Sequence, residues 1–307
     1  MTLENYLTEL TEKPDPINHL GLLQLSSLSN PEVLDLVSSW PRIPLERRRE
    51  MLERMIELAA DNLELDFASV FKACLNDTDD QVRAWAARGL WDCDDRTLIR
   101  PLIALLTVDP SAEVRAAAAI SLGKFAVMAQ ERKILPRDAE KIHDALLAVV
   151  NKTEEDLEVE RRSIEAIASF SSPQVEEIIR KAYHDGDARL KQSAIYAMGR
   201  SSDERWLPIV IQETRHQDAS IRYEAANACG YLGSDITVPH VIALLEDEDS
   251  QVQLAAVKAL GSIGGGLAKR ALTQCLKMDD EAMEEAATAA LSSAEFDDDP
   301  LGFTFES

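Results

Sequence analysis

The sequence predicts an all-α fold: a right-handed α-solenoid of stacked helical hairpins with a period of 31 residues. Three observations carry that expectation. Of 307 residues, 46% are hydrophobic but only 5% aromatic, a core of Ala, Leu, Ile and Val suited to closely packed helices. Glycine and proline number only 12 each, and β-branched runs alternating with polar residues are scarce. An aliphatic anchor also recurs at Val82, Val114, Val159, Leu190, Ile221, Val252 and Met283, in steps of 32, 45, 31, 31, 31 and 31 residues.

Each anchor opens the same pattern. Four places on stand Ala86, Ala118, Ser163, Ala194, Ala225, Ala256 and Ala287, and seven places on stand Gly89, Ser121, Ala166, Ala197, Ala228, Ala259 and Ala290. Eight places on come Leu90, Leu122, Ile167, Met198, Cys229, Leu260 and Leu291. Those offsets share one side of an α-helix, so the spacing predicts a buried stripe whose small residues admit a neighbouring helix. Three places before the anchor, Asp79, Ser111, Asp156, Asp187, Asp218, Asp249 and Asp280 can accept from unpaired backbone N–H groups at a helix start. At offset nine, Gly123, Gly199, Gly230 and Gly261 are expected to end the helix in the left-handed conformation.

Between these helices lies a second apolar run in each unit: "RTLIRPLIALLT", "RWLPIVIQET", "TVPHVIALLE" and "LAKRALTQCLK". Pro101, Pro208 and Pro239 fall near its start, where a missing N–H costs little. Each unit is thus a helical hairpin that buries its apolar face only by stacking on neighbours.

Outside the repeats, residues 31–76 read as divergent capping helices, with Leu45, Leu52, Ile56 and Ala59 inward and "ERRRE" solvated. Residues 1–30, with Pro14 and Pro16, read as a short helix and an arm. The long step carries an insertion near 125–138, expected to lengthen a helix and loop, and residues 293–307 form an acidic tail that the composition reads as solubilising. The solenoid proper spans 77–292.

The pattern Asp-x-x-[Val/Ile/Leu]-[Arg/Lys]-x-x-Ala-x-x-Ala-Leu-Gly resembles HEAT repeats, in particular the short phycobilisome-lyase-type HEAT-like repeat common in bacteria. The resemblance implies a ladder of acids and bases between repeats. By position it falls on Asp77 with Arg83, Asp109 with Arg115 and Asp185 with Lys191, whereas His216, Gln253, Glu154, Glu160, Met278 and Glu284 depart from it and leave the C-terminal copies to packing. It also implies that the second helix of each hairpin lines a concave face.

Several functions are disfavoured. A net charge of −23 repels phosphate backbones and anionic lipid, so nucleic acid is not an expected partner. No apolar stretch approaches the ~20 residues of a membrane span, and "MTLENYLTEL" lacks a signal-like start, so a cytoplasmic protein is expected. Cys74, Cys93, Cys229 and Cys275 form no C-x-x-C pair and read as reduced thiols. Among HEAT-like enzymes, deoxyhypusine hydroxylases hold irons with His-Glu dipeptides, which this chain lacks. A phycobilin-lyase-like activity rests on fold analogy alone. No catalytic, cofactor or metal site is expected.

With stripe, caps and turns assigned, offsets two, three and six of the second helix are left free for function. Trp85, Arg88, Arg161, Arg162, Gln192, Tyr196, Tyr223, Glu224, Asn227 and Lys258 occupy them, with Arg200 just past a helix end. Trp, Tyr and Arg are the types in which binding energy concentrates. The expected function is a non-catalytic scaffold taking a protein or peptide, with Trp85, Tyr196 and Tyr223 as anchors and Arg88, Arg161 and Arg162 meeting the partner's acids. A monomer suffices for it.

Overall fold

The computed structural model describes residues 2–12, 16–277 and 280–298, with side chains to residue 294. Pro14, Met278 and the end of the acidic tail, 299–307, lie outside the described residues. The described residues are all-α, and the chain forms two compact units, 1–167 and 168–307.

The first unit holds α1 (Leu3–Glu12), α2 (His19–Leu22), α3 (Asn30–Ser39), α4 (Leu45–Asp61), α5 (Ala68–Cys74), α6 (Asp80–Gly89), α7 (Ile99–Val108), α8 (Ala112–Gln130), α9 (Pro136–Val150) and α10 (Leu157–Ile167). The second holds α11 (Pro173–His184), α12 (Ala188–Arg200), α13 (Leu207–Glu213), α14 (Ala219–Leu232), α15 (Val238–Ala243), α16 (Ser250–Ile263), α17 (Gly265–Cys275) and α18 (Glu281–Asp298). Within each unit a second helix packs on the first helix of its own hairpin and on the second helices before and after it. This is the all-α solenoid architecture that the repeat predicts.

The anchor stripe is its core: Val82, Val114, Val159, Ile221 and Val252 are buried together with the small residues four and seven places on, apart from the half-buried Gly89. The aspartates start the helices as expected, with Asp79 Oδ1 accepting from Val82 N at 3.0 Å and Asp218 Oδ1 from Ser220 N at 2.9 Å. The insertion lengthens α8 to 19 residues and leads into the 15-residue α9.

The offset-nine glycines do not end their helices. Gly123, Gly199, Gly230 and Gly261 all lie inside α8, α12, α14 and α16. The left-handed position after α14 is Gly233, at φ 63°. Helix-to-helix distance explains three of the four glycines. A Cβ on Gly199 would meet Ala228 Cα at 2.6 Å, one on Gly230 would meet Ala259 Cα at 2.9 Å, and one on Gly261 would meet Ala290 Cβ at 2.8 Å. Consecutive second helices touch backbone to side chain there, which only glycine permits.

The charged ladder is also more complete than the alignment implied, because each base pairs with the acid of the next repeat and not with its own. Arg83 reaches Asp109 at 2.8 and 2.9 Å, Arg115 reaches Glu155 at 2.6 Å, and Arg222 reaches Asp247 at 2.7 Å through two nitrogens. Each of these arginines also donates to backbone carbonyls five and six residues earlier, as Arg222 Nη1 does to His216 and Gln217. His216 cannot receive Lys191, which turns to the buried Glu213 at 3.0 Å. The C-terminal copies therefore keep a rung at Arg222.

The cap extends the ladder backwards and corrects the reading of "ERRRE" as solvated. Arg48 meets Asp77 at 2.6 Å and Arg49 meets Asp79 at 2.6 Å, while Arg47 Nη1 donates to the carbonyls of Glu9 and Leu10. The inward face of α4 is Met51, Leu52 and Met55, with Leu45, Ile56 and Ala59 only half-buried. That face turns three successive arginines toward three different neighbours. The N-terminal arm is docked through buried Tyr6, Leu7, Leu10, Ile17 and Leu22.

Candidate functional site

The face of the second helices carries the candidate residues in two groups, one in each unit. Offset two does not stay free throughout, since Ala84 and Ala116 are buried. At offset three, Ala117, Ser193 and Ala255 are buried too. Neighbouring second helices stand close enough to cover those positions, so the accessible face is narrower than helical periodicity implied.

In the first unit Trp85 and Arg88 lie on α6. The Arg88 guanidinium sits 5.1 Å from the centre of the Trp85 ring and 3.5 Å from Glu113. On α10, Arg161 pairs with Glu158 at 2.7 Å, and Arg162 bridges Glu158 at 2.7 Å and Glu165 at 2.9 Å. Burial pushes the Glu158 carboxyl up, but Arg162 and Arg161 overcome it and hold the group below its usual range. All three arginines expected to meet a partner's acids are thus engaged by carboxylates of their own unit. Helical spacing produces this for α10: Glu158 precedes Arg161 and Arg162 by three and four residues, the reach of a side-chain pair on one helix.

In the second unit the group is aromatic. Gln192, Tyr196 and Arg200 lie on α12, Tyr223, Glu224 and Asn227 on α14, and the exposed Lys258 on α16. Tyr196 meets Tyr231 edge to face with ring centres 6.2 Å apart, and the Arg200 guanidinium covers the Tyr231 ring at 4.9 Å. Gln192 Nε2 donates to Glu224 Oε1 at 3.5 Å. Tyr223 is 37% exposed and Tyr231 44%.

Tyr231 is the residue that sequence reasoning missed. It stands one place past Gly230, where the helix was expected to stop, whereas α14 continues to Leu232 and carries the ring onto the α12 side. The missing Cβ of Gly199 makes the room, since a Cβ there would lie 3.3 Å from Tyr231 Cδ2. A signal existed at offset ten, which holds Asp92, Lys124, Arg200 and Tyr231. Lys124 and Asp92 pair at 2.5 Å in the first unit as Arg200 and Tyr231 pair in the second.

The face offers aromatic rings, amides and a cation, the equipment of recognition. Cys229 is buried in the stripe, where desolvation pushes its thiol up to about 12, far from a reactive thiolate. Among the described residues no three His, Cys, Asp or Glu side chains gather as a metal site, and no helix is long and apolar enough to cross a membrane.

Comparison with known proteins agrees with this geometry. Residues 68–139 and 207–292 match the family model for HEAT repeats, just over half of the chain. No curated protein matches. Among solved structures, the complex of CpcE and CpcF of phycocyanin lyase from Nostoc sp. is similar at 16% identity and TM-score 0.50, over 74% of this chain and 94% of that one. A structure of Kap95p with RanGDP is similar at 14% identity and TM-score 0.47, over 98% of this chain and 47% of that one. Human deoxyhypusine hydroxylase is similar at 18% identity and TM-score 0.38, over 86% and 96%. The chain belongs to the HEAT-repeat family.

Proposed function

We propose that the protein is a non-catalytic scaffold that takes a protein or peptide partner on the face of its second helices, in the manner of an assembly or adaptor factor. The observation that carries the reading is the Tyr196–Tyr231 pair under Arg200, partly exposed on the face of α12 and α14. Rigid aromatic surface held by neighbouring rings binds with little loss of side-chain entropy, which is why Tyr and Arg dominate interface energetics. Tyr223 supplies further apolar area in the same unit; in the first unit Trp85 does so, and Arg88, Arg161 and Arg162 shape the surface there through Glu113, Glu158 and Glu165.

Affinity purification from the native host, with mass spectrometry of what co-elutes, identifies the partner. Replacing Tyr196 and Tyr231 with Ala is expected to leave circular dichroism unchanged and to weaken that partner by at least ~2 kcal/mol, about thirtyfold. Unchanged binding sinks the proposal. The fold similarity to the phycocyanin lyase complex motivates a control: co-expression with a tetrapyrrole and an acceptor protein is expected to yield no covalent pigment, and a pigmented adduct would replace the scaffold reading with a lyase one.

A further inference from the structure

A second feature of the second unit lies away from that face. A cleft of about 640 Å³ is lined by Ile211, Glu213, Arg215, His216, Gln217 and His240, among others. Its composition departs from the repeat. At the ladder position Asp77, Asp109 and Asp247 each use Oδ1 to accept the backbone N–H two residues on, at 2.9 to 3.0 Å. His216 makes the same turn with its ring, Nδ1 accepting from Asp218 N at 3.0 Å. The imidazole thus replaces a carboxylate without loss of the turn, and that bond fixes the ring proton on Nε2 as a donor.

The acids and bases packed around the cleft are already engaged. Glu213 receives the Tyr183 hydroxyl at 2.5 Å and lies 3.0 Å from Lys191. Asp218 accepts from Ser220 N and Oγ at the start of α14, and Arg222 is held by Asp247. Among the described residues no carboxylate pairs with Arg215 or His240. The unspent donors are therefore Arg215, the His216 Nε2 proton, His240 and the amides of Gln212 and Gln217, while the buried Glu213 Oε2, which accepts no hydrogen bond, is balanced by the Lys191 ammonium at 3.0 Å.

We propose that this cleft is an oxyanion site, taking a carboxylate or phosphate group presented by a peptide. A guanidinium with two imidazoles matches such a group, and Ile211 with Pro208 seats the adjoining apolar chain. The many acids elsewhere on the chain oppose it little, since charges beyond ~8 Å are screened at physiological ionic strength.

The test is NMR titration of the full chain with sulfate, whose charge is constant between about pH 6 and 8, read at the histidine ring protons. The expected result is selective, saturable shifts at His216 and His240 among the five histidines. Arg215→Gln and His240→Gln, which remove no hydrogen bond of the fold, should each weaken it severalfold. His216→Asp should keep the turn and abolish binding. Uniform shifts at all histidines, or binding that survives His216→Asp and Arg215→Gln together, would overturn the proposal. Paired peptides with phosphoserine or glutamate at one position then show which oxyanion is preferred.

Discussion

Gly199 and Ala228 stand so close that a methyl group on the glycine would reach the alanine Cα at 2.6 Å. The same contact recurs between Gly230 and Ala259, so it is a property of the repeat. It sets how near consecutive second helices lie and, through Tyr231, what their shared face presents.

Gly199→Ala and Gly123→Ala form a matched pair. Both residues are helical, and alanine favours a helix over glycine by up to ~1 kcal/mol. At Gly123 the nearest atom to a new Cβ is Ala166 Cβ at an ordinary 3.7 Å, so that substitution is expected to stabilise. At Gly199 overpacking costs ~1–3 kcal/mol and outweighs the propensity gain. Thermal unfolding of the two variants checks the opposite signs, and the Gly199 variant should also disturb the Tyr231 fluorescence environment.

Ser163 is the odd residue at offset four, where the other copies carry alanine. Its hydroxyl is buried without a hydrogen-bond partner. Ser163→Ala removes an unsatisfied group and improves helix propensity, and is expected to raise stability by ~1 kcal/mol. A urea midpoint unchanged or lowered would contradict this.

The Arg222–Asp247 rung is nearly buried, with side chains 9% and 7% exposed. Arg222→Met strands a buried carboxylate and is expected to cost ~3–5 kcal/mol. The double variant Arg222→Met with Asp247→Asn keeps an oxygen for the Asp249 N–H while removing the charge, so it should recover most of that loss. A double-mutant cycle by urea unfolding measures the coupling.

Acid should weaken the fold before it protonates ordinary carboxylates fully. Arg222 holds Asp247 below the usual range, Arg49 does the same for Asp79, and Lys72 brings Asp95 to about 2. Folded values lower than the unfolded ~3.9 mean that the native state binds fewer protons, so this stabilisation is complete above about pH 5 and is lost as pH falls through the lowered values. Urea midpoints measured stepwise from about pH 6 to 2 should decline, and the decline should be shallower in the Arg222→Met, Asp247→Asn variant.

Local chemistry made much of this legible. A stripe of period 31, an aspartate before it and a proline in the intervening run were enough for the fold class, because each hairpin repeats the same burial and capping problem and solves it with the same residue types. What misled was the offset-nine glycine. A residue permitted in the left-handed conformation looks like a helix end, whereas its actual constraint is a backbone in the next repeat, 29 residues later at Ala228 and Ala259. The arginines of α4 and α10 misled similarly: their partners sit elsewhere in the chain, in the α5–α6 connection and on α1, or on the same helix at a spacing that read as surface.

The sequence by itself determined the helices, the stripe that buries them and the residues left outside it, since those follow from periodicity and capping along one strand of chain. The tertiary structure alone decided which exposed groups are free to act. It paired Arg88 of α6 with Glu113 of α8, brought Tyr231 onto Tyr196, and left Arg215, His216 and His240 together in one cleft. Those outcomes depend on distances between helices, which are fixed by the volumes of glycine and alanine at the contact and are not written in any one repeat.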